Sequence, residues 1–513
     1  MPPKTSSKSK FKSSARTSRD GPAVARPAHA SLPHVVAVGL VFIAAGSVLV
    51  LEILSVRLLT PYVGLTLETT TSIIGAVLAG IAVGAACGGR IADRIDPLRL
   101  VLGLLIVGGL LALLTLPIVR VLGPAARGGG NLAAVGVTFA ALVPVAAVLS
   151  GVSPTVARLQ LRDLAVSGTV VGQLSAWATA GALVGTFGAG FILVPLLPVS
   201  SSVLAIGIAL VLAGIALGIY TRLLDVSRTL GVVVAAVGLG IPIPVIHSPC
   251  DTESMYHCVR VEVDPESPSG RLLVLDQDFN SYVDLKDPKF LAFRYTTWIG
   301  DAIAASAPAA KPLTGVFVGG GGFTLPRWLI ATRPGSRAQV LEVDGKLVEV
   351  DRKRLGLRTS PALRVTVGDA RVTLRDVPSG RADLVVGDAF SGLTVPWQLM
   401  TIEWLHEVKR VLRPGGLYAL NMVDLRPLGL LRAEAATLLA AFTHVRLITP
   451  PGSDGRPRGD NEVLLASDGP LPPEHGPAAF GAATYDREAV ARLVGDAKRL
   501  RDDYAPVDQL QTR

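Results

Sequence analysis

Residues 314–330 read TGVFVGGGGFTLPRWLI. A short β-type run from Thr314 to Val318 ends on four glycines, Gly319 to Gly322, and a helical pattern starts at residue 324. Glycine at such a junction lets the backbone turn tightly and approach a ligand closely. A glycine-rich loop alone says little, so the flanking sequence decides its meaning.

Downstream, strand-like and helix-like runs alternate. AQVLEVD (338–344) precedes a helix from 345, and LRVTVGD (363–369) a short helix. ADLVVGD (382–388) precedes a helix near 401–411, and GLYALNMV (416–423) a helix near 430–441; HVRLITP (444–450) and EVLLAS (462–467) follow. This order predicts a doubly wound α/β sheet with helices on both faces. Upstream, VRVEVD, RLLVLDQ and SYVDL predict a small antiparallel element over about 258–285, and residues 290–305 read as a helix.

Ligands of such sheets sit at the carboxyl ends of the strands, where strand order reverses. Gly319, Gly320 and Gly321 fall there. Glu342 ends the second strand, 20 residues after Gly322, a spacing at which an acid can accept both hydroxyls of a ribose. Asp369, followed by Ala370, ends the third, where a carboxylate could accept from an adenine amino group. The three in order on successive strands point to an adenosine-containing ligand. Asp388 ends the fourth strand. There it could take a proton from an amine that attacks a sulfonium carbon, or it could only orient the ligand.

The other half of the chain is of a different kind. Of 513 residues, 50% are hydrophobic and only 17% charged, with mean hydropathy +0.49. That excludes both an ordinary soluble protein and global disorder. Seven apolar stretches, 35–59, 69–89, 98–119, 131–157, 169–197, 200–220 and 229–246, approach or exceed the ~20 residues that cross a bilayer. The last is short and interrupted by Pro242 and Pro244. The expected domains are a disordered basic tail (1–33), a transmembrane helical domain (34–247), a small β element (248–290) and a Rossmann-like domain (291–513).

The tail supplies +6 of the net charge of +9, so the basic balance does not argue for nucleic acid as a partner. Arginines cluster in the loops that share its side, which places the N-terminus in the cytoplasm. Seven crossings then put the C-terminal half outside, in a multi-pass protein of the cell membrane. Cys250 and Cys258 follow the last stretch. A disulfide, free thiols, or a metal site with His247 and His257 are all open, and a disulfide would agree with the outside placement. Glu52 and Arg57, inside the first stretch, are candidates for function because charge in lipid is costly.

These motifs resemble those of spermidine synthases, the polyamine aminopropyltransferases, over residues 258–467. GSVLVLEILSVRLLTPYVG, IIGAVLAGIAVGAACGGRIADR and GQLSAWATAGALVGTFGAGFILVP are similar to the membrane half of fused spermidine synthase-like proteins, and Asp502 to Asp508 resemble their C-terminal end. The resemblance implies a methyltransferase-type Rossmann-like fold and aminopropyl transfer from decarboxylated S-adenosylmethionine to a polyamine. That nucleoside acts as co-substrate, with no tightly bound cofactor and no metal. Gly319 to Gly321 match the nucleotide loop, Glu342 the ribose acid, Asp369 the adenine acid and Asp388 the catalytic base. Tyr295 matches the tyrosine of a Tyr-His-Glu motif.

The departures lie on the amine side. Gly322 stands where the family loop has aspartate, Ser391 where it has a second acid, and Thr296 and Thr297 where it has histidine and glutamate; Asn280 is the nearest match to an expected glutamine. Tyr295 and Ser391 are therefore the candidate substrate-binding residues. Two other functions stay open: methyl transfer from S-adenosylmethionine, and a non-catalytic polyamine- or nucleoside-binding transporter or sensor. Besides the lipid bilayer and an amine, a homo-oligomeric partner is left open.

Overall fold

The computed structural model describes residues 32–63, 67–126, 130–161, 167–224, 248–309, 311–392, 394–452, 457–473 and 481–511. Among these, six helices are long and apolar enough to span a membrane: His34–Val63, Thr69–Ala92, Pro97–Ala126, Leu132–Gln160, Ser167–Leu196 and Val199–Tyr220. The seventh expected stretch, 229–246, and nearly all of the basic tail lie outside the described residues.

The bundle is built from pairs. Helix 34–63 packs on 167–188, 67–92 on 130–150, and 97–126 on 199–220. In lipid there is no hydrophobic drive between helices, so small residues that let backbones approach carry the contact. Gly80, Gly84 and Gly88 form such a stripe: a Cβ on Gly84 would collide with the Ala147 carbonyl, and one on Gly88 would lie 2.6 Å from Gly151 Cα. Glu52 lines a small crevice of aliphatic side chains that includes Val77 and Leu142.

The soluble half has two sheets. The first is antiparallel, ordered β1 (Thr252–Glu253), β2 (Cys258–Val263), β3 (Gly270–Leu275), β4 (Asp278–Asp284). The second has eight strands: β5 (Thr314–Val318), β6 (Arg337–Glu342), β7 (Leu363–Val367), β8 (Ala382–Gly387), β9 (Leu412–Leu425), β10 (His444–Thr449), β11 (Gly459–Ser467) and β12 (Ala483–Tyr485). Their order is β12-β10-β11-β9-β8-β5-β6-β7. β7 through β9 are parallel and the remainder antiparallel. This is the Rossmann-like, methyltransferase-type arrangement expected, with an antiparallel flank that alternation alone does not reveal.

Both faces of the large sheet are covered. Along β8, Leu384 and Val386 join a core with Trp298, Ile299 and Leu329, while Val385 joins the opposite core with Trp404, Leu405 and Leu438. A strand buried on both faces reads as a continuous apolar run, as LVV does. From β5 the chain winds outward through β6 and β7, then returns to place β8 on the other side of β5. The crevice between β5 and β8 is the switch point.

The two halves meet at one end of the bundle. Glu253 of β1 accepts from the Ser200 backbone N–H (3.2 Å) and hydroxyl (2.7 Å), and from the Ser248 hydroxyl (2.5 Å). Ser200 opens helix 199–220, so Tyr220 lies about 30 Å away at the far end, while Ser248 is back beside Ser200. Cys250 and Cys258 form a disulfide, which resolves the three alternatives open from sequence.

Candidate active site

The carboxyl ends of β5, β6, β7 and β8 bring the expected residues to one rim. Gly319 has φ 94°, and a Cβ there would collide with the Asp388 carbonyl. Only glycine allows the ends of β5 and β8 to pass this closely. The loop is roofed by β4. Ser281 Oγ accepts from the Gly322 N–H at 3.0 Å, and Ser281 and Asn280 side-chain oxygens lie 2.6 and 2.7 Å from where a Gly321 Cβ would stand. A Cβ on Gly322 would lie 2.8 Å from Val283 Cγ2. The position where the resemblance expects an aspartate is therefore closed to one by the small sheet.

Glu342 is buried and held by main chain. Its Oε2 accepts from the Gly320 N–H at 2.6 Å and its Oε1 from the Asp344 N–H at 2.7 Å. Burial raises its pKa above the usual carboxylate range, against the lowering effect of those two N–H groups. A carboxylate oxygen has room for a second donor, so a ribose hydroxyl can still approach. Asp369 is exposed at the end of β7; its Oδ1 accepts from the Arg371 N–H at 2.8 Å, capping the turn that begins at Ala370. Ala370 is itself buried, so it shapes the rim through its backbone.

Asp388 is held by side chains instead. Its Oδ1 accepts from Asn421 Nδ2 at 2.8 Å and its Oδ2 from the Tyr295 hydroxyl at 3.2 Å. Asn421 Oδ1 in turn accepts from Asn461 Nδ2 at 3.0 Å. Burial pushes the Asp388 carboxyl up to about 7, although both donors oppose the shift. Tyr295 is pushed well above 10, first by burial and then by Asp388, so it stays a donor. A carboxylate poised near neutrality is what a general base requires.

The sequence reading missed Asn421 and Asn461. Asn421 is the one amide within the apolar run LYALNMV, and a polar residue in a doubly buried strand is a usable signal. Asn461 lies on antiparallel β11, and its pairing with Asn421 depends on register. Ser391 is exposed three residues beyond Asp388, where its N–H donates to the Thr394 carbonyl. Thr296 and Thr297 both turn back to the Phe293 carbonyl, at 2.7 and 3.3 Å. Arg294, which precedes Tyr295 in the chain, pairs with Asp460 at 3.3 Å.

No family model matches the chain. It is 27% identical to the polyamine aminopropyltransferase of Vibrio vulnificus over 187 residues, which are 36% of this chain and 59% of that one. It is 31% identical to polyamine aminopropyltransferase 2 of Streptomyces coelicolor over 218 residues, 37% of this chain and 39% of that one. The chain thus spans roughly two fifths to three fifths of these relatives' lengths. A solved structure of a probable spermidine synthase from Corynebacterium glutamicum is 26% identical, with a TM-score of 0.45, covering 50% of this chain and 96% of that one. The soluble half is a spermidine synthase-like domain.

Proposed function

We propose that the protein is a membrane-bound aminopropyltransferase of spermidine synthase type, using decarboxylated S-adenosylmethionine and an amine acceptor. The observation that carries this is Asp388, a half-buried carboxylate pushed up to about 7 at the switch point, across the rim from the backbone-held Glu342. Glu342 and Asp369 hold the ribose and adenine, and the glycine loop lets the nucleoside lie close to the backbone.

Asp388 takes a proton from the acceptor amine. The amine nitrogen then bonds to the aminopropyl carbon next to the sulfonium. The carbon–sulfur bond breaks toward sulfur and leaves neutral 5′-methylthioadenosine. Tyr295 and Asn421 keep both Asp388 oxygens aimed and partly offset the cost of burying its charge. The side chains that hydrogen-bond Asp388 are one amide and one phenol, both neutral, which fits an acceptor other than a simple diamine. Two ammonium groups call for more than one carboxylate.

For location, the soluble half docks at the Arg57 end of helix 34–63. With the basic tail in the cytoplasm that end is external, in keeping with the Cys250–Cys258 disulfide. The disulfide also favours a second reading, a non-catalytic external sensor or carrier for polyamine or nucleoside. Purified full-length protein given decarboxylated S-adenosylmethionine and a panel of amines separates the two. Release of 5′-methylthioadenosine is expected. Nucleoside binding without release from any amine leaves the second reading standing.

A further inference from the structure

The loop around the disulfide touches both halves of the molecule. Consecutive residues in it face opposite ways, as in a strand. Glu253 turns to the bundle, where it caps the start of helix 199–220 through Ser200. Ser254 turns to the nucleoside rim. It is buried, its hydroxyl donates to Asp344 Oδ2 at 2.5 Å, and it accepts from the N–H groups of Tyr256 and His257 at 3.0 and 2.8 Å.

Asp344 caps helix 345–354 with its Oδ1, accepting from Lys346 and Leu347 N–H groups, while its own N–H holds Glu342. Three links therefore lead from a membrane helix to the ribose acid: Ser200 to Glu253, Ser254 to Asp344, and Asp344 to Glu342.

Charge runs along the same route. Arg57, near the end of helix 34–63, lines a small cavity with Glu253, Ser254 and His257. Its guanidinium is within electrostatic reach of Asp276, Asp344 and Glu253. The Tyr256 hydroxyl lies within electrostatic range of Asp344, Asp369 and Glu342 and of Arg57.

We propose that this strap makes the membrane bundle a positioning element of the nucleoside rim, with Glu253 and Ser254 as the positioning residues. Docking of the strap on helix 199–220 fixes the orientation in which Glu342 meets the ribose. A ligand-binding carboxylate fixed in advance loses less freedom on binding. The inference rests on the nucleoside reading above and assigns the bundle a part in it.

The test uses the full chain in phosphatidylcholine nanodiscs, with 5′-methylthioadenosine binding read by calorimetry. Ser254→Ala raises Kd about tenfold and Glu253→Gln about fivefold, the range for losing one ordinary hydrogen bond. Ser254→Thr, which restores the hydroxyl, returns Kd to within about twofold of wild type. Ser200→Ala, on the membrane helix, weakens binding in the same direction. As a readout independent of ligand, amide exchange over residues 342–347 quickens in Glu253→Gln, although the hydrogen bonds of the Glu253 side chain go to Ser200 and Ser248. Unchanged Kd and exchange in Glu253→Gln and Ser200→Ala, with wild type binding normally, overturn the inference alone. Failure of wild type to bind the nucleoside overturns the site reading and this inference together.

Discussion

The two sides of the cleft hold their carboxylates in different ways. Glu342 is gripped by backbone N–H groups from Gly320 and from Asp344, two residues along its own chain. Asp388 is gripped by the side chains of Tyr295 and Asn421, 93 and 33 residues away. A backbone grip follows from a strand ending in the right turn and tolerates change around it. A side-chain grip exists only once helix 294–305 and β9 have packed against β8. The first suits a fixed binding contact. The second suits a group whose proton affinity must be set, because each donor can adjust it.

The sharpest break in this comparison is Asp388→Asn. It should lower turnover by about 10²- to 10⁴-fold, the usual worth of a general base, while 5′-methylthioadenosine binding persists. Its folded-state pKa lies above the unfolded value, so ionising Asp388 costs stability as pH rises from about 4 to about 7. The Asn variant should accordingly melt no lower than wild type at pH 8. A marked fall in its Tm would mean that the ionised form is instead a structural necessity.

Next in size is Glu342→Gln. An amide cannot accept from both N–H groups, so nucleoside Kd should rise about tenfold or more, with kcat changed less. Equal losses in kcat and affinity would show that the two sides are not separable. Ser391→Asp adds a carboxylate beside the base, and KM for putrescine should fall about fivefold through a charge-assisted contact; no change would place the acceptor elsewhere.

The smallest effect is on the pH profile. Wild-type kcat should rise through about pH 7 as Asp388 ionises. Asn421→Leu removes a donor that favours the charged form, so the midpoint should move to higher pH. Tyr295→Phe, losing the longer 3.2 Å bond, should move it less in the same direction. A shift to lower pH in either variant would contradict the assigned hydrogen bonds.

How much was legible follows the same division. The glycine loop, Glu342, Asp369 and Asp388 were readable because each ends a strand, and strand ends are marked by apolar runs that stop. The antiparallel flank was not, since alternation carries no direction. Asn461 was lost with it, because register alone brings it to Asn421. In the bundle, the apolar runs marked six of the helices, but not which helices pair. Gly80, Gly84 and Gly88 could be seen as a stripe on one face, yet only the fold shows Ala147 and Gly151 against it.

By itself the amino-acid sequence determined the division into a membrane half and a nucleotide-fold half, the order of strands along the chain, and which acids stand at strand ends. These depend on burial patterns a few residues long, which the period of a helix or strand imposes locally. Tertiary structure alone decided the pairing of the helices, the closing of the Gly322 position by Val283, and the side-chain cage around Asp388. It also decided the link from Ser200 through Glu253 and Ser254 to Asp344. Those contacts join residues tens of positions apart, and their energies exist only after the intervening chain has been brought together.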